Sequence, residues 1–220
     1  MALQTLISSI KNTHKRERRK QARPGELLDA ALDLFVEKGF SAARVDEVAE
    51  RAGVSKGTLF LYFQSKEDLF KAVVRENIVH QFPKWQEEFV LFQGSSADML
   101  RYALLSWWER IGKTRASGIA KLVMSEAQNF PEIAEFYQEE VIQPGNAMIR
   151  RILERGMHSG EFRLLDLEQA VHIIVAPMIF LMTWKHSMGA CAASAKTLDP
   201  EQFIHMQVDV LLHGITTPKT

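Results

Sequence analysis

V-D-E-V-A-E-R-A-G-V-S-K-G-T-L-F-L-Y-F, running from Val45 to Phe63, holds two short apolar periods separated by a glycine. Val45, Val48, Ala49 and Ala52 fall on one face of a helix. Gly53 breaks that pattern, and Val54 opens a second run through Leu59, Phe60 and Phe63. Two short helices joined by a turn of roughly three to four residues containing Gly form a helix-turn-helix. In that motif the second helix lies in the DNA major groove and the first crosses above it. Ala49 is small enough for two helix backbones to cross closely, and Ser55 stands where an N-cap belongs. The reading predicts helices over residues 45–52 and 56–62, with Leu59, Phe60 and Phe63 in the core.

The flanks fit this centre. Pro24 suits a first helical position, and Leu27, Leu28, Ala31, Leu32, Leu34 and Phe35 keep helical spacing up to a stop at Gly39. A first helix over residues 24–38 follows. Ser65, with Glu67 and Asp68 behind it, caps a fourth helix that should continue through Ile78 towards Phe82 and Pro83. Upstream, residues 11–23 hold seven basic residues against Glu17 alone. Such a run is either a solubilising tail or an arm that contacts phosphates or the minor groove.

G-F-S-A-A-R-V-D-E-V-A-E-R-A-G-V-S-K-G-T-L-F-L-Y-F-Q-S-K-E-D-L-F, residues 39–70, resembles the N-terminal signature of the TetR family of bacterial transcriptional regulators. Spacing, caps, turn and the following S-K-E-D-L all agree, over about residues 24–75. Two positions depart from the family pattern. Ala43 and Arg44 stand where a hydroxyl usually caps the second helix, leaving Ser41 to compensate and Arg44 as a charged phosphate contact. Phe60 replaces a frequent Tyr and gives up its hydroxyl. Backbone grip therefore shifts towards charge, and DNA binding should be strongly salt-sensitive.

Recognition helices present short groups to the bases and donors to the backbone. Ser55 lies at the helix N-terminus, Lys56 and Thr58 on the exposed side, and Gly57 allows close approach to the groove. Leu61 suits a thymine methyl, and Tyr62 offers a hydroxyl to the second strand's backbone. Lys66 matches a phosphate-contacting lysine of the family, by resemblance.

Bulk properties narrow the class. Among 220 residues the formal net charge is zero, which excludes a uniformly basic polyanion-binding surface. Residues 1–66 carry 12 Lys+Arg against 8 Asp+Glu, leaving 15 against 19 for the remainder. Nucleic acid should meet the first third only. Cys191 is the single cysteine, so no intramolecular disulfide or cysteine zinc site forms, which fits a reducing compartment. No apolar run reaches the ~20 residues that span a bilayer, and basic residues follow rather than precede the mildly apolar start. A soluble, cytoplasmic protein is expected.

Beyond residue 83 the pattern is helical throughout, giving an all-α fold of about nine helices. The expected organisation is a basic arm at 1–23, a helix-turn-helix domain at 24–70, and a helical ligand-binding and dimerisation domain at 71–220. Asp166 should cap a helix reaching Met188, and Asp199-Pro200 should open the last one. The helix after Asp166 is apolar nearly all round, and the last helix is also rich in apolar residues. In the TetR family two C-terminal helices of each subunit form a four-helix bundle, so these two resemble a dimer interface, through Ile174, Ile179, Met182, Phe203 and Val210. Burial within one subunit is the alternative. Large aromatic and methionine residues, with Phe89, Trp108, Met124, Met148 and Met178 as candidates, suit either an adaptable apolar pocket or ordinary core.

No Gly-rich phosphate loop, cysteine nucleophile or carboxylate–histidine cluster occurs, so no catalytic residue, cofactor or metal site is expected. His172 and His186 lie about four turns apart, ~21 Å, too far to share a metal. The leading expectation is a dimeric repressor that binds a palindromic double-stranded operator and is released by a small, largely apolar ligand. A transcriptional activator, a helical adaptor with a vestigial helix-turn-helix, and an enzyme using the helical cavity are the competing readings.

Overall fold

The computed structural model describes residues 24–191 and 198–216; the basic segment 1–23 lies outside them. The described residues are helical, with no strand beyond an isolated antiparallel bridge between Phe162 and Thr216. Two compact units divide the chain between Val73 and Val74.

Unit one contains α1 (residues 24–42), α2 (Val45–Arg51), α3 (Lys56–Phe60) and the first part of α4 (Lys66–Asn77). α1 outlasts its expected end by one turn. Gly39 takes a left-handed φ of 80°, and a last turn closes behind it through Ala43 N–H donating to the Gly39 carbonyl at 3.3 Å. Leu27, Ala31, Leu34 and Phe35 of α1 are buried, as their spacing requires. They meet Phe40 and Phe70 in a three-ring cluster, with Phe35–Phe40 centroids 5.7 Å apart and both Phe70 contacts at 5.5 Å. Each such ring contributes about 1.5–3 kcal/mol by leaving water.

The α2–α3 turn depends on Gly53, at φ 66°. There the Gly53 N–H donates to Glu50 and the Val54 N–H to Ala49, at 3.0 and 2.9 Å. This pair of bonds satisfies the last carbonyls of α2 and reverses the chain. At the other end of α2, Arg44 is the N-cap and supplies no side-chain cap bond. Arg51–Glu37 and Lys38–Glu47 pairs tie α2 to α1 at its surface, with N···O distances of 2.9 and 3.0 Å.

Unit two holds α5 (Phe82–Val90), α6 (Ser96–Trp107), α7 (Gly118–Glu126), α8 (Pro131–Tyr137), α9 (Gln143–His158), α10 (Leu167–Lys185) and α11 (Pro200–Ile215). α4 stops at Asn77, short of the expected Phe82, and a 3₁₀ turn (Val79–Gln81) leads into α5. Pro83 sits in the first turn of α5, where its missing N–H is harmless, so it begins a helix rather than kinking α4. Ser95, Asp166 and Asp199 cap α6, α10 and α11 through their side-chain oxygens. A π-helical segment, Gln138–Ile142, joins α8 to α9. Pro144 has no N–H for the carbonyl four residues back, so the α ladder breaks there and the wider turn takes up the slack.

The core of this unit draws Leu100 and Leu104 from α6, Ile152 and Leu153 from α9, Val171, Ile174, Met178 and Leu181 from α10, and Ile204 and Val208 from α11. α10 is, by length and composition, apolar enough to cross a membrane, contrary to the expectation that no segment is. One side of it is core, and Ile173 and Phe180 leave apolar surface exposed on another.

Candidate nucleic-acid interface and ligand cavity

α3 has a single buried side chain, Leu59. Leu61 is 82% exposed, Phe60 41% and Tyr62 38%. Phe60 therefore leaves the core to which its spacing assigned it, while Phe63 is half-buried. Phe60 stands one turn beyond Lys56, whose ammonium lies 6.0 Å from its ring. A helix this short, entering from a tight turn, commits one side chain to the interior and offers the others outward.

Ser55 caps the helix, its Oγ accepting the Thr58 N–H at 3.1 Å and lying 2.9 Å from the Thr58 hydroxyl. Thr58 is thereby half-buried and locally engaged. Gly57 is exposed, and a Cβ built there would meet only Ser55 Oγ at 3.8 Å. Nothing among the described residues requires glycine at that place.

Two cations share one carboxylate. Lys56 Nζ lies 2.8 Å from Asp46, and Arg44 reaches the same carboxyl at 3.7 Å. The Lys56 hydrogen bond, then its charge and that of Arg44, hold Asp46 below the usual carboxylate range. Lys66 differs from its expected role. Its ammonium donates to the carbonyls of Phe40, Ser41 and Ala43 at 2.8, 3.2 and 3.3 Å and stands 4.4 Å from the Phe40 ring. Those bonds occupy all three N–H groups, so Lys66 clamps the end of α1 instead of pointing outward.

Unit two holds a partly open cavity of about 190 Å³ between α5, α6, α7, α9 and α10. Phe89, Met124, Met148 and Met178 line it. Trp108 does not; it is buried in the core, and Trp107 takes the lining position. Consecutive helical residues point about 100° apart, so only one of the two indoles can face the cavity. Among the described residues no charged side chain lines it. Its polar groups include Trp85, whose indole N–H is satisfied by Ser106 at 2.9 Å, together with Tyr137 and Asn146, which sequence reading missed. Burial pushes the Tyr137 phenol far up, so it stays protonated.

The interface residues assigned on α10 turn out to face inward. Ile174 and Met182 are 2% and 5% exposed, and Ile179 and Met182 line the cavity. The open face is one residue out of register, with Ile173 61% and Phe180 47% exposed, beside Met206 and Val210 of α11. Phe203 belongs to this face, its ring 5.9 Å from Phe180. Among the described residues no His, Cys, Asp and Glu cluster is arranged to hold a metal.

A helix-turn-helix with an open second helix, followed by a helical unit around an apolar cavity, defines a transcriptional regulator. Comparison with known proteins agrees. Residues 27–73 match the model for bacterial regulatory proteins of the tetR family, and residues 93–199 match the tetracyclin repressor-like C-terminal domain. The HTH-type transcriptional regulator YdeS of Bacillus subtilis is 31% identical over 156 residues, 70% of this chain and 75% of that protein. The HTH-type transcriptional repressor KstR2 of Rhodococcus jostii is 25% identical over 201 residues, 90% and 94% of the two chains. The solved structure of the fatty acid degradation regulator FadR from Bacillus halodurans superimposes with a TM-score of 0.70 at 21% identity, covering 86% of this chain and 94% of that one. The chain belongs to the TetR family of bacterial transcriptional regulators.

Proposed function

We propose that the chain is a homodimeric repressor, acting in the cytoplasm, that reads a palindromic operator with α3 and releases it when a small molecule fills the unit-two cavity. The observation that carries this reading is α3 itself, a helix with one buried side chain and exposed Lys56, Gly57 and Phe60, followed directly by exposed Leu61 and Tyr62. Gly57, free of any internal packing need, gives a groove wall room to approach. Arg44 and Lys56 would exchange Asp46 for phosphates, and Ser55 and Thr58 would hold the helix start in shape. Lys66 acts as a positioning residue through α1. Repressor is the word used for the Rhodococcus jostii relative, and it supports the sign of regulation proposed.

One module of this size binds DNA weakly, and two-fold symmetry supplies the second half-site. We place the dimer face on Ile173, Phe180, Phe203, Met206 and Val210, which would cover the part of α10 that the subunit leaves open. Release runs through α4, which is continuous across the boundary between the two units. Near its end Arg75 grips Glu140 through two bonds, with Nε donating at 2.8 Å, and its guanidinium lies 5.0 Å from the Phe136 ring. Glu140 belongs to the π-helical segment whose Val141 and Ile142 line the cavity. A ligand that fits one position of that wall better than another would bias α4 through this bridge.

A gel shift on the DNA upstream of the protein's own gene, at two salt concentrations, tests the reading. A complex that resists competitor, weakens steeply with salt and is lost in Lys56→Ala supports it. A complex indifferent to Lys56 and Tyr62 substitutions, or none on any selected palindrome, contradicts it and favours the adaptor or enzyme readings.

A further inference from the structure

We infer that the unit-two cavity selects a neutral, largely apolar ligand bearing one hydrogen-bond acceptor, such as a ketone, ester or ether oxygen, which receives the Tyr137 hydroxyl hydrogen. The inference rests on the reading of unit two as the ligand-binding half and states what chemistry that half accepts.

Tyr137 is the last residue of α8, and only 8% of it is exposed. Its hydroxyl has no hydrogen-bond partner among the described residues, yet the residue lines the cavity. The chain gives this donor no acceptor, and an apolar occupant would give it none either. Trp85, the neighbouring aromatic donor, already has Ser106, whereas the half-buried Trp107 indole and the Tyr137 hydroxyl are further aromatic donors on the lining, Tyr137 belonging to the more buried residue. Burial also keeps the phenol protonated, which makes it a donor rather than an anion at any ordinary pH. Asn146, on the same lining, adds a second polar group able to donate or accept.

Among the described residues the lining carries no Lys, Arg or His. A carboxylate or phosphate placed inside would lose its water with no counter-charge in return, which disfavours anions by a wide margin. Size sets a further limit. A dry engineered cavity of ~150 Å³ holds benzene, so the space here suits an occupant on the order of ten non-hydrogen atoms, or that portion of a longer molecule.

The test uses three probes of nearly equal size and shape: acetophenone, its hydrocarbon analogue isopropylbenzene, and benzoate. Their affinities for the full-length protein and for Tyr137→Phe are measured by ligand-observed NMR. Wild-type protein should bind acetophenone and isopropylbenzene and reject benzoate. Tyr137→Phe should weaken acetophenone by about tenfold while leaving isopropylbenzene unchanged, the latter showing that the variant keeps its cavity. Equal acetophenone affinity in the two proteins, benzoate binding as tight as acetophenone, or no binding of any probe would overturn the inference. The same probes added to the operator complex address the regulatory reading separately. Binding in the expected order without any effect on DNA would leave this inference standing and remove ligand-driven release.

Discussion

Lys66 shows how much one side chain's destination depends on the fold. Its three carbonyl partners come from residues 40–43, over twenty positions away in sequence, and its ammonium lies 4.4 Å from the Phe40 ring. Lys66→Met keeps the stem and removes the ammonium. Denaturant titration should show a loss of about 1–3 kcal/mol, the usual worth of hydrogen bonds to a charged group. The salt dependence of DNA binding, measured well below the melting point, should stay unchanged. A phosphate contact would instead lower that slope by nearly one. Ser55, Gly57 and Leu61 were legible in the sequence because local rules govern them: an N-cap, a turn-adjacent glycine, an apolar residue off the buried stripe. Lys66 and Phe60 were not, because their places are set by how α1 and α3 end.

At the scale of elements, caps were readable and registers were not. Asp166 and Asp199 mark their helix starts by residue type alone. α10 is apolar on nearly every side, so no period separates its inner face, Ile174 and Met178, from its outer face, Ile173 and Phe180. A further cap comes from a distance: Glu161 accepts the Ser96 and Ala97 N–H groups at 2.7 and 2.8 Å, so a residue beyond α9 closes the start of α6. Burial pulls its carboxyl up, but the hydrogen bonds from Ala97 and Ser96 outweigh that and leave it below its ordinary 4.5. A group depressed in the folded state stabilises above its unfolded value, and the contribution disappears as pH falls through the folded one. Glu161→Gln should therefore cost about 1 kcal/mol at pH ~7. Urea titrations at falling pH should bring the two proteins together once the medium passes below the usual carboxylate range. A gap that persists in acid would assign the loss to packing.

For the whole molecule, the helix-turn-helix and the all-α plan were open to sequence reading, while the cavity's chemistry appeared only with the packing of its walls. Tyr137 reads as one more buried aromatic until its place on the cavity wall is known. The proposed dimer face is likewise a property of two packed helices. Placing a charge at its centre, as in Phe180→Glu, should turn the dimer into a folded monomer by sedimentation, with an unaltered helical spectrum. Operator affinity should fall by at least a hundredfold, since a single module retains only one half-site. A Phe180→Glu protein that stays dimeric would move the interface elsewhere.

Selection of bound DNA from a random pool, followed by footprinting, tests the central claim that two copies of α3 read one symmetric site. The account predicts an inverted repeat whose half-site centres lie ~34–36 Å apart or a multiple of that, protected by wild-type protein and lost with Lys56→Ala. An unenriched pool, or an enriched site without two-fold symmetry, would contradict it.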